Sequence, residues 1–234
     1  MPSADRSLDA KATTISEALR SRRSTRSFLQ TPVERDTLCE ILQLASRAPS
    51  GSNLQPWRVH VLGCASVRRL GAAIQNAFLS DEPGHAREYD YYTDPLFEPY
   101  LARRRACGWG LYGTIGIARG EREKTRAYRA RNYDFFGAPA GMVFSIDRRL
   151  ELGSWMDYGM FLQSIMLAAR EFGLHTCPEA SIAEFPRVVR GHLDIGDDFM
   201  IVCGMAIGYR DPEAIINTFQ PERLRVDEFA TFLD

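Results

Sequence analysis

Apolar residues recur along the chain at two spacings, and the switches between them mark its elements. Residues 14 to 22 place Ile15, Ala18, Leu19 and Arg22 on one helical stripe. "RSTRSF" follows, where serine, threonine and a β-branched neighbour favour extension. In "TPVE", Thr31 is expected as an N-cap, Pro32 at the first helical position and Glu34 as the return half of a capping box. The helix this opens carries Leu38, Ile41, Leu42 and Ala45 and ends before Pro49. A polar connector, "RAPSGSNLQPW", then leads into an alternating strand at 57 to 63. Ser66 is expected to cap the next helix, with Leu70, Ile74 and Phe78 on its apolar face.

Periodicity breaks over residues 80 to 98, which are charged but also aromatic, unlike a flexible linker. This excursion should cover something. Two helical segments, roughly 99 to 118 and 121 to 135, precede a strand at 140 to 147, so that about 80–135 reads as an inserted helical or lid-like excursion. The clearest helix runs from about Ser154 to Phe172 with apolar residues on more than one face, which implies burial, and Gly173 is placed to cap it. A short extended segment around "HTCPEAS", a helix with Ser181 as a candidate cap, and a long apolar strand at 199 to 209 complete the pattern. Strands interspersed with more helices than a βαβ alternation needs predict a single α+β domain.

Composition narrows the function. A formal net charge of -1 offers no electrostatic reason for a nucleic-acid or membrane partner. Lys11 and Lys124 are the only lysines, so nearly every positive charge is a guanidinium, the group suited to gripping phosphate through paired hydrogen bonds. The five cysteines are scattered, form no C-x-x-C pair and read as reduced thiols of a cytoplasmic protein. No stretch approaches the length of a membrane-spanning helix.

Ordinary catalytic signatures are missing. Gly108, Gly110 and Gly113 spell G-x-G-x-x-G, but the arginine-rich helical segment before them is not the buried strand that a dinucleotide fold requires, so close helix packing explains them better. His60, His85, His175 and His192 lack metal-ligand spacing, and His60 is expected on a solvated strand face. Ser50 and Ser52 lack the context of a hydrolase elbow. Against this absence stand three polar clusters: "RSRRSTRSF", the connector at 47 to 57, and "TFQPERLRVDEF" in the tail, from which Arg223 could reach the first. Arginines and a serine at one end and side-chain amides at the other suit a phosphate-bearing cofactor that carries the chemistry itself.

These segments, with "NYDFFGAPAGMVFSID" and "GSWMDYGMFLQSIMLAAREFGLHTCPEAS", resemble the FMN-dependent nitroreductases in this order over nearly the whole chain, and the bacterial nitroaromatic and nitrobenzoate reductase branch in particular. The resemblance implies an α+β fold, a central mostly antiparallel sheet flanked by helices, in an intertwined homodimer. It implies an oxidoreductase in which FMN passes hydride from NADH or NADPH to a small electron-poor acceptor, with no catalytic side chain and no metal. By the same resemblance Arg22, Ser24 and Arg223 hold the FMN phosphate, Arg23 lends its backbone, and Arg26 lies beside the ribityl chain and pyrimidine ring. Pro49, Ser50, Gly51, Asn53 and Gln55 serve the flavin of the other subunit, while Pro178, Glu179 and Ala180 pass under the ring. Asn132 is a further contact, with Arg131 the alternative if the alignment shifts by one. Two features depart from the family pattern: arginine must replace the lysine many relatives use, and Pro221 stands where some place a second basic residue. Flavin-dependent dehalogenation or dehydrogenation, or a redox sensor without turnover, are the alternatives.

Overall fold

The structure, a computed structural model, describes residues 10–233. Four strands, β1 (Arg58–Leu62), β2 (Ala140–Asp147), β3 (His175–Glu179) and β4 (Phe199–Gly208), form one sheet in the order β1-β2-β4-β3, every pairing antiparallel. The central strands β2 and β4 are apolar almost throughout because both of their faces are covered. One face receives α2 (Arg35–Ala45) and α6 (Leu152–Glu171), closing a core around Ile41, Met142, Phe144, Ile165 and Met205. The other receives α3 (Cys64–Leu79) and α7 (Pro186–Leu193) over Leu70, Ile74, Phe135, Val143 and Ile182.

Local chemistry corrects several expected boundaries. The helix after "TPVE" starts only at Arg35: Glu34 occupies the N-cap position with no side-chain cap, so Thr31 and Pro32 lie in the extended approach. Helix α3 opens at Cys64 behind Gly63, two residues before Ser66. A real capping box sits earlier, at α1 (Ile15–Ser21), where Thr14 accepts from the Glu17 N–H and Glu17 accepts from the Thr14 N–H. Gly173 does take the left-handed conformation (φ +75°) that ends α6. Residues 180–184 make a 3-10 turn, and α7 begins with Pro186 at its first turn, so Ser181 is not its cap.

The excursion after α3 is anchored at its start. The Glu88 carboxylate receives Arg190 at 2.9 Å, Arg148 and the Ile201 N–H, and the Tyr89 hydroxyl donates to the Val202 carbonyl. Beyond it stand α4 (Tyr100–Thr114) and α5 (Arg122–Arg129), neither with a buried residue. The glycine triplet lies inside α4, not at a strand-to-helix turn. A side chain on Gly110 would meet the Phe219 ring at 2.7 Å, whereas Gly108 and Gly113 face open space. Among the described residues no helix is long and apolar enough to cross a membrane, and no group of three or more His, Cys, Asp and Glu could hold a metal ion.

Candidate functional site

The first arginine cluster is fixed where α1 gives way to an extended segment against the free edge of β3. Ser24 makes a parallel bridge to Thr176, and the Thr25 N–H donates to the Thr176 carbonyl. Residues 22–26 therefore run beside Cys177 and the turn that follows β3. Arg22 is half-buried, and its pKa is lowered first by burial and then by the nearby charge of Arg223. The tail thus returns to the cluster. No carboxylate forms an ion pair with Arg22, Arg26 or Arg223 among the described residues. Guanidinium groups gathered without an ion-paired carboxylate are suited to an anion.

Asn217, which the sequence pattern did not single out, ties this corner together. Its Oδ1 accepts from the Arg26 N–H at 2.8 Å, and its Nδ2 donates to the carbonyls of Ser27 and Asp211 at 2.9 and 3.0 Å. Arg26 itself donates to the Ser24 carbonyl and lies over the Phe136 ring. Pro178 is exposed at the end of β3, Glu179 is fully buried and Ala180 opens the 3-10 turn. Asn132 and Arg131 are both already engaged: Asn132 Nδ2 donates to the Arg129 carbonyl at the end of α5, and Arg131 donates to the Phe136 carbonyl.

The connector at 47 to 57 lies elsewhere. It feeds β1, at the opposite edge of the sheet from β3. Three strand spacings, about 14 Å, separate the two edges. Ser52, Asn53 and Gln55 all sit at positive φ (49°, 57° and 49°), a costly conformation for residues with side chains. The surroundings hold it: the Gly51 N–H donates to Asp157 Oδ2 of α6 at 3.0 Å, the Gln55 N–H to Ser50 Oγ, and Trp57 stacks on Phe161 with centroids 4.5 Å apart. Pro49 and the side chains of Asn53 and Gln55 stay exposed. Asp157 is the second site-forming residue missed in the sequence, where its place within a long apolar helix gave no signal.

The residues therefore fall into two groups. Arg22, Arg23, Ser24, Arg26, Pro178, Glu179, Ala180 and Arg223 gather at one edge, while Pro49, Ser50, Gly51, Asn53 and Gln55 stand at the other. The donor set fits FMN in kind: an arginine corner whose guanidinium groups have no ion-paired carboxylate, with a serine, for the phosphate, and amide and hydroxyl groups for the polar rim of a flavin. His60, expected to be solvated, is half-buried on β1, its Nδ1 without a hydrogen-bond partner and its pKa lowered by burial.

Comparison with known proteins agrees with this reading. A sequence profile of the nitroreductase family matches residues 19–209. The chain is 39% identical over 219 residues to a chloronitrobenzene nitroreductase of Comamonas testosteroni, covering 94% of this chain and 96% of that one. It is also 39% identical to a 4-nitrobenzoate reductase of Pseudomonas putida, covering 91% and 92%. Among solved structures, the FMN and NADPH-dependent nitroreductase of Sphigopyxis sp. strain HMH superposes with a TM-score of 0.90 at 38% identity, covering 94% of this chain and 99% of that chain. By profile, by identity over nearly its full length and by fold, this chain belongs to the nitroreductase family.

Proposed function

We propose that the protein is an FMN-dependent NAD(P)H nitroreductase that reduces nitroaromatic or related electron-poor compounds, working as a homodimer whose two flavin sites each draw on both chains. The corner of Arg22 and Arg223 beside Ser24, with no ion-paired carboxylate, carries the cofactor assignment. When bound there, FMN supplies the hydride-accepting and hydride-donating centre that the side chains lack. Arg22, Ser24 and Arg223 hold its phosphate. Arg26 would lie beside the ring, where its charge would favour an electron-rich flavin. Pro178 and Ala180 line the space at the end of β3. The loop at 49–55, at the opposite edge of the sheet, would serve the partner's flavin.

The exposed apolar surface supports the dimer. Ile15 on α1 is 77% exposed, Leu152 and Met156 on α6 are 80% and 71% exposed, and Phe232 in the tail is 80% exposed. Leu152, Met156 and Met160 recur every fourth residue, so they form a stripe along α6. The sequence pattern marked this helix as buried, and a partner chain supplies the missing cover. Each such side chain gains about 1.5–3 kcal/mol on full burial.

Purified protein should be yellow or take up FMN, lose its visible flavin absorbance on anaerobic addition of NADPH or NADH, and regain it on addition of 4-nitrobenzoate or a quinone. A protein that neither carries nor takes up FMN would overturn the assignment. Bound flavin that is not bleached by either nicotinamide would leave a sensor and not an enzyme.

A further inference from the structure

Glu179 is the last residue of β3, in register with Gly204 of β4, Val143 of β2 and His60 of β1. Its carboxyl group is enclosed by the apolar face of the sheet. The missing side chain at Gly204 leaves a notch filled by Ile182 and Phe135, which a Cβ there would meet at 2.6 and 3.2 Å. Neither Glu179 oxygen has a hydrogen-bond partner among the described residues. An ionised carboxylate in such a place, fully buried and accepting nothing, would cost several kcal/mol more than its protonated form.

The groups that face it have distinct roles. Arg26, on the extended segment 22–28, is the one cation among the described residues whose charge favours ionisation of Glu179, but its guanidinium is directed to the Ser24 carbonyl and makes no bond to the carboxyl. Asp134, in the turn before β2, repels a second negative charge. The Cys177 and Cys203 thiols are buried, their pKa values pushed up to about 12 by burial, and they stay neutral. Of the two carboxyl groups, Asp134 is the less buried and has Arg131 at 3.7 Å; burial raises the pKa of both, and that of Glu179 further. The charge therefore stays on Asp134 and the proton on Glu179. Burial drives the Glu179 pKa well above the ordinary carboxylate range, in accord with the geometry.

We propose that Glu179 is a neutral carboxylic acid at neutral pH, that its neutrality leaves the positive field of Arg22, Arg26 and Arg223 unopposed by Glu179, and that its ionisation at higher pH lowers the reduction potential of the flavin held in that corner. The inference rests on the FMN assignment above. A ring that gains negative charge on reduction is stabilised by an uncompensated guanidinium field, and a carboxylate beside Arg26 would oppose it. Glu179 is a positioning residue here: it acts through the arginines. As pH rises through its folded pKa, Glu179 ionises and the potential falls.

Glu179→Gln separates the two charge states, because glutamine matches the neutral acid in shape and charge. Potentiometric titration of FMN-loaded wild type and E179Q should give the same midpoint at neutral pH, with the wild-type value dropping below the variant's under alkaline conditions. A midpoint already more positive in E179Q at neutral pH would mean that the native residue is ionised, and would overturn the proposal. Infrared spectra of the flavin-free proteins provide a readout independent of FMN. A protonated-carboxyl C=O stretch should be present in wild type and missing in E179Q, and its absence from wild type at neutral pH would also overturn the proposal. Should E179Q not fold, E179M presents the same neutral charge for both measurements. A protein that shows the carboxyl band but never binds FMN would refute the cofactor assignment and leave the neutral acid standing.

Discussion

Asp157→Ala tests whether the strained loop at 49–55 is held ready for a flavin by the body of its own chain. Asp157 is buried on α6, and its Oδ2 accepts the Gly51 N–H at 3.0 Å. A hydrogen bond to a charged group of this kind contributes about 1.5–3 kcal/mol. The loop needs it: three residues with side chains at positive φ each carry a conformational cost of about 1–3 kcal/mol, which only fixed contacts can offset. Removing the acceptor lets Gly51 and its neighbours relax, and the flavin must then re-order the loop on binding. If all of the lost energy appears in the binding equilibrium, FMN affinity falls roughly ten- to hundredfold. Asp157→Asn keeps an acceptor and should lose much less. The assay is titration of apo-protein by quenching of flavin fluorescence, with circular dichroism and gel filtration to show that fold and dimer persist. An Asp157→Ala protein that keeps both and binds FMN as tightly as wild type would refute the preorganisation argument.

Two further perturbations address the opposite edge. Arg22→Ala removes one of the two guanidiniums assigned to the phosphate and should weaken FMN binding by about 1.5–3 kcal/mol while leaving the dimer intact, measured by the same titration; unchanged affinity would remove Arg22 from the phosphate site. Asn217→Ala deletes one bond to the Arg26 N–H and two to the Ser27 and Asp211 carbonyls, so it should lower stability by about 2–4 kcal/mol and release the tail; an unaltered midpoint in chemical denaturation would show that the tail is held by other contacts.

Much of the scaffold was legible because its periods are strong. The strand expected at 140 to 147 is β2 residue for residue, and the expected strand at 199 to 209 differs from β4 by one. Helix starts were less readable. "TPVE" holds every residue of a capping box, yet the helix begins at Arg35, because local signals specify a helix start only where the chain direction permits one. The apolar stripe of α6 was visible, but not which part of it belongs to this chain's core: Tyr158, Phe161 and Ile165 pack inward, whereas Leu152 and Met156 stay exposed. Periodicity reports that a face is apolar and says nothing about whose surface covers it.

The candidate site shows the same division between what a chain writes locally and what its topology decides. Arg22, Ser24 and Arg223 could be picked out by residue type, since phosphate recognition needs guanidinium and hydroxyl groups wherever they stand in sequence. Asp157 and Asn217 could not, because one polar residue in an apolar helix and one asparagine in a turn look like surface. Their roles appear only once the fold has brought Gly51 to α6 and Arg26 to the tail. Strand order makes the further step. Placing β1 and β3 at opposite edges puts the loop and the arginine corner of one chain at the two ends of a sheet about 14 Å across. In the homodimer proposed above, a twofold axis would let each arginine corner face the other chain's loop. In the proposed homodimer the two halves of each site then come from different chains, so that a single chain holds half a site.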